Sequence, residues 1–108
     1  MTPMLPAVVQ AYIDSEADPD VDRLEAFFAA DAVVKDEGKT IEGIAAIKQW
    51  KQAARQKYRY TVEPLACRES EGQVVMSARL AGNFPGSPAV VDYTFELQGE
   101  KIRTLQIG

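Results

Sequence analysis

An α+β fold, helices first and an antiparallel meander after, is predicted by three features of this 108-residue sequence. Apolar residues recur at helical spacing as far as about residue 57. From Tyr58 the period falls to two, and clusters of glycine and proline punctuate the second half. That order of elements separates α+β from the regular alternation of an α/β chain. The length suits one domain over residues 1–108, because two cores would leave each half too short to stand alone.

Each element has its own signal. Leu5, Val8, Val9, Tyr12 and Ile13 form an apolar stripe opposite Gln10, Asp14 and Ser15, which predicts a helix from about Pro6 to Ala17. Asp18-Pro19 reads as an N-cap followed by proline at the first helical position. The shorter helix that follows would bury Val21, Leu24, Phe27 and Phe28. Ala32 to Asp36 is a short β-branched strand halted by Gly38, with an extended stretch at Thr40-Ile41. Gly43 opens a third helix to about Lys57, with Ile47, Trp50 and Ala54 inside and Lys48, Lys51 and Arg55 in water.

The strands follow. Tyr58, Tyr60 and Val62 alternate with Arg59, Thr61 and Glu63 until Pro64, which cannot donate to a ladder and marks a bulge or an edge. Further strands run from about Gln73 to Leu80, Ala89 to Leu97 and Lys101 to Ile107. Turns at Glu71-Gly72, Asn83 to Pro88 and Gln98 to Glu100 separate them.

Composition then removes function classes. No apolar run approaches the ~20 residues that span a bilayer. The N-terminal residues Met1 to Met4 lack the basic and apolar stretches of a secretory signal, so the expected location is cytoplasmic. A net charge of −4 disfavours nucleic acid, since phosphate binding wants a clustered cationic face. There is one cysteine, Cys67, and no histidine. Those counts exclude an internal disulfide, Ser-His-Asp and Cys-His catalysis, and Cys/His zinc sites.

Carboxylates and tyrosines carry the remaining chemistry. Asp36 ends an apolar strand; it either caps the turn before Gly38 or is held near a pocket as a general base. Asp92 lies within Val90 to Phe95, where a carboxylate must point outward, be paired, or keep its proton. Tyr12 shares its stripe with aliphatic residues, so its ring is expected to be buried and its hydroxyl to need a partner. Alternation leaves Arg79 free to face either a cavity or solvent.

The run from Phe27 to Gly38, then Glu42 to Ile47, resembles the nuclear transport factor 2-like superfamily. So does Asp92-x-x-Phe95 followed by Lys101 to Gln106. The resemblance covers nearly the whole chain. It implies a cone, in which a strongly curved antiparallel sheet wraps three N-terminal helices around an internal cavity. Within the superfamily the sequence is most similar to ketosteroid isomerases and SnoaL-like proteins. On that likeness Tyr12 and a protonated Asp92 would form an oxyanion hole and Asp36 would be the base, an arrangement known for keeping a carboxylic acid neutral. Phe28, Trp50, Tyr58, Arg79 and Phe84 would line the cavity. Glu37 replaces the usual proline after the base, and Phe28 and Lys51 stand in for supporting tyrosines.

The expected function is therefore a small-molecule-binding domain for a hydrophobic ligand, without metal or organic cofactor. An isomerase using Tyr12, Asp36 and Asp92 is the alternative, and a dimeric interaction module with a vestigial pocket is another. The resemblance also implies a homodimer.

Overall fold

The computed structural model describes residues 5–16, 20–36, 38–57 and 59–108. The Asp18-Pro19 cap and Tyr58 lie outside them. Helix α1 spans Ala7–Ser15, and a 3-10 helix spans Val21–Ala26. Strands β1 (Phe28–Asp36) and β2 (Lys39–Glu42) precede helix α2 (Ile44–Lys57). Strands β3 (Tyr60–Ser70), β4 (Gln73–Gly82), β5 (Ala89–Gln98) and β6 (Lys101–Ile107) complete the chain.

The six strands form one curved, unclosed sheet in the order β2-β1-β6-β5-β4-β3. The expected α+β architecture is present, with one correction to its sheet. Strand β1 pairs with β6 in parallel, so the sheet is mixed and only the remaining ladders are antiparallel. The parallel pair joins the first strand to the last, a connection long enough to contain α2 and the meander.

The second helix is also shorter than its apolar spacing suggests. It is a 3-10 segment capped by Asp20, whose side chain accepts from the Asp22 amide at 3.0 Å. Phe27 closes its last turn, and Phe28 is already the first residue of β1, opposite Ile102. The Ile102 amide donates to the Phe27 carbonyl at 2.7 Å, so ladder pairing overrides the helical pattern there.

Pro64 behaves as expected on both counts. Strand β3 is an edge, and its register with β4 slips between Pro64 and Ala66. The bulge keeps Tyr60, Val62 and Cys67 all on the half-buried side.

The core lies between the helices and the concave face of the sheet. Val9 and Tyr12 from α1 and Ile47 from α2 meet Val74 and Met76 of β4, Phe95 of β5, and Leu105 of β6. Tyr12 is the hub of an aromatic cluster, its ring centroid 5.6 Å from Phe95, 5.9 Å from Phe28 and 6.3 Å from Phe27. Edge-to-face packing of this kind adds about 0.5–1.5 kcal/mol per pair beyond burial. The two hollows described below open to solvent beside this core.

Candidate functional site

The register of the sheet brings several chain ends to one rim. Asp36 at the end of β1 lies opposite Ile107 at the end of β6, and Ile107 lies opposite Tyr93 of β5. Farther along the same rim, Leu80 of β4 pairs with Ala89 of β5, and Tyr60 of β3 pairs with Gly82. Gly82 has no tolerance for a side chain here, since a Cβ would sit 2.6 Å from the Tyr60 Cα. The C-terminal residues of α1 and α2 reach the same rim, because Arg55 donates to the Ser15 carbonyl.

A buried ion pair holds this end together. Lys51 is 1% exposed, and its ammonium bonds to the Glu16 carboxylate. The same Nζ donates to the Tyr12 hydroxyl at 3.3 Å. It also lies 4.9 Å from the centroid of the Tyr12 ring and 5.3 Å from that of Trp50, within cation–π range. Trp50 in turn donates its Nε1–H to Asp36 at 3.2 Å. One connected polar cluster thus runs from Glu16 through Lys51 and Trp50 to Asp36.

Burial dominates the electrostatics of this cluster. It pushes the Tyr12 hydroxyl well above the ordinary phenol range, with the Glu16 charge as the next cause. Tyr60 and Tyr93 are raised for the same two reasons in the same order. Burial pushes the Lys51 ammonium down, against the opposing pull of Glu16. The tyrosines therefore stay neutral, while burial and the Glu16 carboxylate pull the lysine in opposite directions, with burial the larger.

Two open hollows border the cluster. One, of about 230 Å³, is lined by Glu16, Arg55, Arg59 and Tyr60. The other, of about 310 Å³, is lined by Asp36, Lys35, Lys39, Thr40, Gln106 and Ile107, with Gly38 at its turn. Phe84, in the loop after β4, packs edge-on against Tyr60 at 6.3 Å beside the first hollow.

The residues singled out from the sequence separate into two groups. Tyr12, Phe28, Asp36 and Trp50 belong to the interior or its rim, and Phe84 reaches the rim through Tyr60. Asp92 does not join them. Strand alternation turns Tyr93 and Phe95 inward and Asp92 outward, where it is exposed and accepts from the Ser77 hydroxyl at 2.8 Å. Of the readings open to it, the outward, hydrogen-bonded one holds, and the three expected catalytic residues do not converge. Arg79 is exposed on β4, whose buried residues Met76 and Ala78 have the opposite parity, so it faces solvent and not a cavity.

Lys51, Glu16, Tyr60 and Tyr93 carry the electrostatics without having been singled out as site residues. Lys51 was expected in water on account of its charge, yet the helical repeat places it on the face of Ile47, four residues earlier. The readable signal was positional: the stripe Ile47, Trp50, Lys51, Ala54 follows helical i, i+3, i+4, i+7 spacing. Among the described residues, no group of three or more carboxylate or cysteine side chains is placed to hold a metal ion. No helix among them is long and apolar enough to cross a membrane.

Comparison with known proteins agrees with this architecture. Residues 9–103 match the family model of the SnoaL-like domain. The crystal structure of a proposed polyketide cyclase from Sinorhizobium meliloti is 38% identical, with a TM-score of 0.92 over 96% of this chain and 95% of that one. A protein of ketosteroid isomerase-like fold from Catenulispora acidiphila, solved with trimethylamine, is 23% identical, with a TM-score of 0.85 over 97% and 86%. A proposed isomerase of the SnoaL-like family from Agrobacterium tumefaciens is 20% identical, with a TM-score of 0.78 over 93% and 92%. No functionally curated protein matches the chain.

Proposed function

The chain belongs to the SnoaL-like domain family, and on that premise we propose that it binds a small polar organic molecule at the rim hollow of Glu16, Arg55, Arg59 and Tyr60. The observation that carries this reading is the polar cluster itself. A buried lysine paired with a carboxylate gives a fold little net stability, and apolar side chains of similar volume often do as well or better. Its place, directly behind an open hollow, is what supports a binding role. The lining residues are two arginines, a glutamate and a tyrosine, and their polar groups favour a polar ligand over the hydrophobic one expected from the family likeness. Arginine in particular offers paired donors to a carboxylate.

The isomerase reading has less support. Only Asp36 of its three residues borders a hollow, the Tyr12 hydroxyl already has Lys51 as a partner, and Asp92 is outside. Conversion of a Δ5- to a Δ4-ketosteroid is therefore expected to be absent in both the wild type and Asp36→Asn. A homodimer through the outer sheet face is retained in the proposal, supported by Val90, which is 63% exposed there. Sedimentation of the wild type beside Val90→Asp tests it, with a change of mass expected only if that face pairs.

Binding is tested by two-dimensional NMR titration with a panel of short carboxylates. Saturable shifts at Glu16, Arg59 and Tyr60 that weaken in Arg59→Ala are expected. Shifts absent at that rim, or centred on Asp92 and Ser77, would rule the site out.

A further inference from the structure

We infer that the ligand of the rim hollow is an aromatic carboxylate, its carboxylate seated on Arg59 and its ring laid against the Tyr60–Phe84 pair. This rests on the binding reading above and adds the ligand's class. Lys51 is buried on Glu16, and Arg55 donates to the Ser15 carbonyl, so both of those cations are committed within the protein. Arg59 lines the hollow and is exposed. It stands one residue before β3, so strand alternation does not fix its side chain. Its backbone is held instead: the amide donates to Asn83 Oδ1 at 2.7 Å, and the Asn83 amide donates back to the Arg59 carbonyl at 3.1 Å. A guanidinium carried on a fixed main chain offers a carboxylate two parallel donors.

The same two hydrogen bonds fix the aromatic wall. Asn83 opens the loop that carries Phe84. The Gly82 amide donates to the Ser87 hydroxyl at 2.8 Å and the Ser87 amide to the Phe84 carbonyl at 3.2 Å, which closes that loop on itself. Phe84 stands edge-to-face with Tyr60 beside the hollow, and both rings are half-buried, so part of their surface is left to water. A planar ring entering the hollow would cover that surface and extend the edge-to-face packing. Tyr60 meets it uncharged, because burial and then the Glu16 charge push its phenol up. The volume of about 230 Å³ is that of about eight waters in the liquid, which gives room for one ring bearing a carboxylate.

The test titrates the intact chain with benzoate, cyclohexanecarboxylate, acetate and benzamide by two-dimensional NMR. Benzoate should bind about tenfold or more tighter than acetate, from its added apolar area. It should bind about threefold tighter than cyclohexanecarboxylate, which matches its size without a π face. Benzamide keeps the ring and loses the charge, and should bind about tenfold more weakly than benzoate. Shifts should centre on Arg59, Tyr60 and Phe84. Arg59→Gln should weaken benzoate by about tenfold, and Phe84→Leu by about threefold. The ranking of ligands is read on the wild type, so it stands even if a variant fails to fold. Acetate or cyclohexanecarboxylate binding at the rim as tightly as benzoate would overturn the aromatic class and leave the binding reading standing. Benzamide matching benzoate would overturn the Arg59 seat. No saturable binding by any of these, or by the carboxylate panel, would overturn both.

Discussion

The two ends of the interior are built on different principles. At one end Phe28, Phe95, Ile102 and Leu105 pack without a charged neighbour in the core. At the other, the same layer between helices and sheet holds Glu16, Lys51, Trp50 and Asp36. Helix α1 contributes to both, since Val9 and Tyr12 point into the apolar packing and Glu16 follows its last turn. The apolar end supplies the stability. The polar end spends some of it, because desolvating an ammonium and a carboxylate costs several kcal/mol that their attraction only partly returns. The pair lies behind an open hollow, and the proposed binding of a ligand there rests on that placement.

Breaking the apolar end should give the largest effect. Phe95→Ala removes a ring in contact with Tyr12 and is expected to cost about 3–5 kcal/mol in urea unfolding. Its ligand contacts at the rim should be unchanged where the protein remains folded. Gly82→Ala acts where β4 meets the edge strand β3 at the rim. The added methyl has to displace backbone at Tyr60, and a loss of about 1–3 kcal/mol is expected, as for other overpacked sites. A loss below that range would show that β3 is free to shift.

Alkaline unfolding separates the tyrosines from the lysine by sign. Tyr12, Tyr60 and Tyr93 are raised in the folded protein, so unfolded phenols ionise first and stability falls once pH passes about 10. Lys51 is lowered, so its contribution rises with pH up to its ordinary value. Three tyrosines outweigh one lysine, and a net decline is predicted. Tyr12→Phe should flatten it by about one proton, or about 1.4 kcal/mol per pH unit. The smallest effect is expected outside both ends. Asp92→Asn should change stability by no more than about 0.5 kcal/mol and leave rim binding intact, since its carboxylate is exposed.

The same contrast explains how much could be read in the sequence. The apolar end was legible because period-two and period-3.6 patterns are produced by burial itself, as with Val74, Met76 and Ala78 along β4. Pro64 announced the bulge and the edge by its missing amide. Phe28 misled because an aromatic beside a helical stripe fits helix and strand equally, and only pairing with Ile102 decided. The polar end was half legible. Tyr12 and Asp36 stood out as groups in apolar company, and family likeness put Lys51 in the place of a supporting tyrosine. Composition alone sent Lys51 to solvent, since a buried lysine is recognisable only with its partner, and Glu16 is 35 residues away. Asp92 was misplaced by the likeness because a motif does not state which face of a strand its residue occupies, and one residue of parity reverses it.

The most direct test of the account is the urea-unfolding free energy of the double variant Glu16→Leu/Lys51→Met, measured with and without a saturating short carboxylate from the binding panel. If the polar cluster serves a ligand, the variant should be as stable as the wild type or more so, while only the wild type gains stability from the carboxylate. A variant that loses several kcal/mol, or that the carboxylate still stabilises, would contradict the claim and make the ion pair a structural strut between α1 and α2.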